Sequence, residues 1–216
     1  MAVIYPSLIA ADLLNLQEEI KKLDPYCQGY HLDIMDNHFV PNLTFGSAFV
    51  NAIAQVTYKK IWVQLLVDKP ENWIDQFFLP IDSIITFHIE SSQEIRRTID
   101  HIKKKKWLPS IAINPKTEVE ILFPYLDRLS QVLIMSVVPG FSGQEFLPDV
   151  ISKVDRLVSY RQTSGLPFVI SMDGGINKNN IRMLKEHGVD IFAVGSGIFK
   201  SEDPVATLKE LNTLIA

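Results

Sequence analysis

Four ionisable side chains crowd one short segment, HLDIMDNHFVPN, His31 to Asn42. Leu32 and Ile34 alternate with His31 and Asp33, the period-2 pattern of a strand whose other face carries an imidazole beside a carboxylate. Asp36 and His38 follow in the turn. Burying such groups is costly unless they are paired, metal-bound or at work. A further carboxylate, Asp173, ends the apolar run PFVISMD. Two carboxylates that reach one carbon from different sides can run a two-base epimerisation. One removes a proton, the other returns one to the far face, and they exchange roles in reverse. His31, Asp33 and Asp173 also suit a divalent metal, which would polarise a substrate carbonyl and stabilise an enediolate. Plainer readings exist: an N-cap or ion-pair acid, or an ordinary buried His-x-Asp hydrogen bond. Two acids at strand ends, one with a histidine two residues away, favour function.

Three glycine-bearing segments point to a phosphate. They are PGFSGQ (Pro139 to Gln144), DGGI (Asp173 to Ile176) and GSGIF (Gly195 to Phe199). Glycine lets backbone N–H groups approach an anion closely, and helix N-termini favour negative charge. One glycine pair alone would read as a tight turn; three such loops favour an anion site. The other histidines carry less weight. His88 at a strand end lines a pocket or holds a hydrogen bond, His101 reads as an exposed helical residue, and His187 suits a helix C-terminus. Met35 and Met135 are equally suited to core or to a soft wall around a reacting carbon.

The elements that must position these residues alternate along the chain. Apolar runs VIYPS, GYHLDI, IWVQLLV, SIITFHI, LPSIAIN, VLIMSV, PFVISMD and IFAVGS read as eight strands. Helical patterns lie between them, with Leu13, Leu16, Ile20 and Leu23 on one face and Ile95, Ile99 and Ile102 on another. Ser91 with Glu94, and Thr117 with Glu120, match the capping box. Asp203 before Pro204 predicts a helix start, and Gly188 a helix stop. Eight strands and eight helices in strict alternation predict a (β/α)₈ barrel, a single domain over residues 1–216, ahead of a doubly wound open sheet. In a barrel the active site lies at the C-terminal strand ends, where Ser7, His31, Asp33, Gln64, His88, Ser136, Asp173, Gly195 and Ser196 all fall.

Composition excludes several alternatives. The formal net charge of −4 offers no electrostatic case for nucleic acid or an anionic membrane. The basic run Lys103 to Lys106 reads as a solvated helix end. The single cysteine, Cys27, excludes a disulfide framework and suits a reducing compartment. MAVIYPSLIA has no basic n-region or long apolar core, and no stretch is apolar for long enough to span a bilayer, so a cytoplasmic protein is expected.

Taken together, YPSLIAADLLNL, HLDIMDNHFVPNLTFG, ITFHIES, INPKT, MSVVPGFSGQEF, MDGGI and VGSGIF resemble the ribulose-phosphate 3-epimerase family along nearly the whole chain. The resemblance implies a (β/α)₈ barrel that interconverts D-ribulose 5-phosphate and D-xylulose 5-phosphate with a divalent metal, Zn²⁺ first, with Fe²⁺, Mn²⁺ or Mg²⁺ as alternatives. It implies Asp33 and Asp173 as catalytic carboxylates and metal ligands, and His31 as a metal ligand. Ser7, Gly140, Phe141, Ser142, Gly143, Gly174, Gly175, Gly195 and Ser196 would contact the sugar phosphate. Relatives of this barrel often form dimers or hexamers, so a homo-oligomer is expected by analogy. The chain departs from the family pattern at three places. Gln64 stands where the family has a histidine ligand, and offers only an amide oxygen, a poorer zinc donor. Asn37 and Ser142 replace glycines; Asn tolerates a left-handed backbone. Gln64 is expected to face the ion position and weaken metal binding, or else to donate its amide N–H to the substrate. Two alternatives remain: epimerisation of a related ketose phosphate such as a hexulose 6-phosphate, or a non-catalytic sugar-phosphate-binding paralogue.

Overall fold

A computed structural model describes residues 2–216. Eight parallel strands form one sheet: β1 (Val3–Pro6), β2 (Gly29–Met35), β3 (Lys60–Leu66), β4 (Ile84–His88), β5 (Leu108–Ile113), β6 (Gln131–Met135), β7 (Val169–Asp173) and β8 (Ile191–Val194). Their order is β1-β8-β7-β6-β5-β4-β3-β2. A parallel bridge between Ser7 and His31 joins the two ends of that order and closes the ring. The fold is therefore the (β/α)₈ barrel, and the open sheet is set aside.

Both faces of the strands are buried, which is why they read as near-continuous apolar runs. Outward-facing residues such as Leu32, Val63, Ile85, Ile111, Ile134 and Ile170 belong to the large cluster between sheet and helices. Inward-facing Tyr5, Trp62, Ile84, Leu133 and Ala193 form a separate plug inside the ring. Gly29 makes room for it: a Cβ there would lie 2.4 Å from the Tyr5 ring and 2.3 Å from the Lys60 carbonyl. Polar residues also point inward and are buried, among them Thr86, which accepts from the Trp62 indole at 2.8 Å. Above this plug, toward the C-terminal strand ends, the interior turns ionisable.

The helices depart from strict alternation. The described residues contain α1 (Leu16–Leu23), α2 (Ser47–Val56), α3 (Ile95–Lys104), α4 (Ile151–Ser164), α5 (Ile181–Glu186), α6 (Ser196–Phe199) and α7 (Pro204–Leu214). After β3 there are only short 3₁₀ turns, Pro70–Asn72 and Ile74–Gln76, and after β5 a 3₁₀ segment, Val119–Arg128. Pro124 lies inside that segment, where it lacks a donor and obstructs an α-helical turn. Two helices follow β8 instead. Leu13 lies outside α1, because Asp12 folds back to accept from Leu14 N and Asn15 Nδ2.

Helix ends were partly legible. Asp203 caps α7, accepting from Val205 N and Ala206 N at 3.0 Å, with Pro204 in the first turn. Gly188, at φ 103°, ends α5 as expected. Neither capping box forms. Ser91 Oγ donates to the His88 carbonyl, leaving Ser92 Oγ to accept from Glu94 N, and Thr117 Oγ1 donates to Glu90. No helix among the described residues is long and apolar enough to cross a membrane.

Candidate active site

The C-terminal strand ends surround a cleft of about 570 Å³. Asp33 from β2 and Asp173 from β7 both line it. Between their strands lie β1 and β8, whose lining residues Ser7, Ala193 and Gly195 are small and leave the gap open. His31 is fully buried beneath the cleft. One ligand atom from each of His31, Asp33 and Asp173 lies within 4.8 Å of the others, the spacing of a three-donor cation site.

Hydrogen bonds fix this cluster. Ser7 Oγ donates to Asp33 Oδ2 at 3.0 Å and stands 3.0 Å from His31 Nδ1. His31 Nδ1 is 3.4 Å from Asp33 Oδ2, and its ring meets Trp62 edge-on, centroids 4.5 Å apart. Burial pulls the His31 pKa down, but the charges of Asp33 and Asp173 and a hydrogen bond to Gln64 outweigh it, so the pKa rises. Asp173 shows the opposite balance. It opens partly into the cleft, yet dense packing on its other sides, reinforced by Asp33, pushes its pKa up to about 7. His31 and the Gly174 N–H oppose that rise.

Gln64 does not face the cleft. It is fully buried on β3, with Oε1 3.0 Å from His31 Nε2 and Nε2 3.0 Å from His88 Nε2. Both ends of its amide are thus engaged away from any substrate, contrary to the expectation that it faces an ion or donates to a carbonyl. His88 likewise is buried and holds hydrogen bonds rather than lining the cleft; its Nδ1 lies 3.4 Å from Glu90 Oε2. Met35 and Met135 do line the cleft. His38, His101 and His187 sit outside it, paired with Asp36, Asp75 and Asp155.

The glycine loops make the opposite wall. Gly140, Phe141, Ser142, Gly143, Gly174, Gly175, Gly195 and Ser196 all line the cleft. Ser136 links two of these loops, its Oγ donating to the carbonyls of Asp173 and Gly174 at 2.9 and 2.6 Å. Gly175 has φ 64°, and a Cβ there would lie 2.5 Å from Phe146 N. No other residue type fits that approach. Asn42 Nδ2 donates to the Gly140 carbonyl at 2.7 Å, tying the turn after β2 to this wall. In the same turn Asn37 adopts φ 59°, the left-handed backbone expected of it.

Sequence reading missed several lining residues. Ile9, Leu66, Val137 and Ile176 are apolar and carry no chemical signal. Lys200 was also missed. It lines an adjoining cleft of about 690 Å³ with Gly143, Gly175 and Ser196, its Nζ 3.1 Å from where a Gly143 Cβ would stand. A lysine three residues past a GSG turn was the available signal.

Residues 3–199 match the model of the ribulose-phosphate 3 epimerase family. The chain is 35% identical to ribulose-phosphate 3-epimerase of Mycobacterium tuberculosis, covering 97% of this chain and 91% of that protein. It is 34% identical to the Escherichia coli protein of the same name, covering 99% and 96%. The solved structure of KGPDC from Streptococcus mutans, a ribose-5-phosphate complex, is similar in fold, with TM-score 0.69, 15% identity, and coverage of 99% of this chain and 97% of that one.

Proposed function

The chain belongs to the ribulose-phosphate 3-epimerase family, and on that premise we propose that it interconverts D-ribulose 5-phosphate and D-xylulose 5-phosphate by proton transfer between Asp33 and Asp173. The observation that carries this reading is the pair itself. Two carboxylates on strands three apart around the ring line one cleft, separated by small residues. A reacting carbon seated over Ser7 and Ala193 would meet one carboxyl on each face.

The environments of the two acids support the roles. Asp173, pushed up to about 7, is placed to hold a proton near neutral pH. Asp33 accepts a hydrogen bond from Ser7 Oγ, as a carboxylate base would. One acid and one base serve the reaction in one direction, and the exchanged pair serves the reverse. The phosphate would lie against the Gly143, Gly175 and Ser196 loops, held mainly by backbone N–H groups. The S. mutans barrel, solved with ribose 5-phosphate, makes a phosphorylated pentose a reasonable occupant of this fold.

The donor set fits a divalent cation. One imidazole and two carboxylates converge, and hydrogen bonds hold the ring in place. His31, Asp33 and Asp173 would hold Zn²⁺ or, with more oxygen ligands, Fe²⁺, Mn²⁺ or Mg²⁺. Such an ion supplies positive charge against the negative charge that develops on the sugar oxygens. A cytoplasmic setting suits the buried free thiol of Cys27.

The test is turnover of D-ribulose 5-phosphate in D₂O, with metal content measured on the same sample. Xylulose 5-phosphate carrying one deuterium at C3 is the expected product. Neither turnover nor exchange at C3, with metal supplied, would overturn the reading.

A further inference from the structure

Gln64 sits between two buried imidazoles and touches no solvent. Its amide can lie either way round, and the neighbours decide. An amide oxygen only accepts and an amide nitrogen only donates. With Oε1 toward His31, the nitrogen meets His88 Nε2 at 3.0 Å and the Met135 sulfur at 3.1 Å, both acceptors. This leaves the proton of a neutral His88 on Nδ1, 3.4 Å from the Glu90 carboxylate. Turning the amide over would set an oxygen against the Met135 sulfur. It would also turn a bare His88 Nδ1 toward Glu90. Both ends of the chain therefore select one direction, in which His31 donates from Nε2 to Gln64.

We infer that Gln64 is a positioning residue: it holds the Nε2 proton of His31, so that Nδ1 is the ring atom presented to Asp33 and Asp173. Nδ1 is the atom that stands 3.0 Å from Ser7 Oγ and 3.4 Å from Asp33 Oδ2, on the cleft side of the ring. When the imidazole gives up a proton to a cation, the Nδ1 proton leaves. Gln64 then acts on metal affinity by orienting a ligand without being one. The consequence for metal rests on the function proposed above; the tautomer does not.

The experiment is two-bond ¹H–¹⁵N correlation on histidine-labelled protein, metal-free at alkaline pH and again loaded with zinc. Zinc affinity is measured beside it by competition with a chromogenic chelator. His31 is expected as the Nε2–H form in both states. Gln64→Met, similar in size but without the acceptor, should lose that single form and weaken zinc binding about 10- to 100-fold. Gln64→Glu keeps the acceptor and should hold both tautomer and affinity, which separates positioning from damage to the fold. An Nδ1–H form in the native protein would overturn the inference. So would native zinc affinity in Gln64→Met. A native protein that shows the Nε2–H form but binds no zinc would sink the metal reading and leave the positioning role standing.

Discussion

The two walls of the cleft are built from different materials. On the β2–β4 side the chemistry resides in side chains inside the barrel. His31, Gln64 and His88 form a buried polar chain that runs on to Glu90 and meets the cleft through Asp33. On the β6–β8 side it resides in backbone, presented by glycine loops whose exposed parts, Val138 at 59% and Phe141 at 57%, reach into solvent. Rigid strands hold proton-transfer groups to the tolerance that bond-making needs. An anion, held by several N–H groups at once, tolerates a looser frame. Single substitutions should therefore act on rate at the first wall and on binding at the second.

The sharpest break in this comparison is at the carboxylates. Asp33→Asn and Asp173→Asn should each lower kcat by ~10³-fold or more, because an amide cannot take or return the proton. Thermal unfolding should stay close to native, since neither side chain carries the core. Near-full turnover in either variant would end the two-base assignment.

On the second wall the largest effect is expected at Gly175. Alanine there must adopt φ near 64° with its Cβ 2.5 Å from Phe146 N, so the two loops must separate. The strained backbone costs about 1–3 kcal/mol. KM should rise by about an order of magnitude or more, while the rate at saturation falls less. A Gly175→Ala variant with native KM would show that the phosphate lies elsewhere. Lys200→Met is the gentler probe. Its ammonium is exposed at the rim, so its attraction for a phosphate is worth about 1 kcal/mol or less. KM should rise up to about fivefold at low salt, with kcat unchanged, and the difference should shrink as salt is added. A kcat effect larger than the KM effect would move Lys200 into the chemistry.

The same division explains what was legible in the sequence. Asp33 and Asp173 betray themselves, because ionisable residues at the ends of apolar strands need a reason to be there. The glycine loops betray themselves by composition. Strand periodicity supplied the barrel, whose buried strands are simple apolar runs. The helical layer was less legible: Pro124 turned one expected helix into a 3₁₀ segment, and the hydroxyls of Ser91 and Thr117 found other partners than a capping box. Gln64 was misplaced for a related reason. Residue type and strand parity point it inward, but only the three-dimensional neighbours, His88 and Met135, show that its amide is spent on another side chain.

The smallest predicted effect lies at the far end of the polar chain. Burial pushes the Glu90 carboxyl up, but the His88 ring, the Asn114 N–H and the Thr117 hydroxyl outweigh it and hold the pKa at about 2, against 4.5 for the free side chain. The folded state therefore prefers Glu90 ionised. Its contribution to stability is present above about pH 4.5 and is lost as the pH falls toward 2. The side chain keeps 23% of its surface exposed, so solvent screens part of that contribution. Glu90→Gln should be modestly less stable than the native protein at pH 7, measured by urea unfolding. The gap should narrow steadily between pH 4.5 and the acid limit, because protonation makes native Glu90 the equal of the amide. A gap that stays constant from pH 7 to pH 3 would mean that Glu90 acts through packing rather than charge. The polar chain would then end at His88, and the contrast between the two walls would need no ionised anchor behind it.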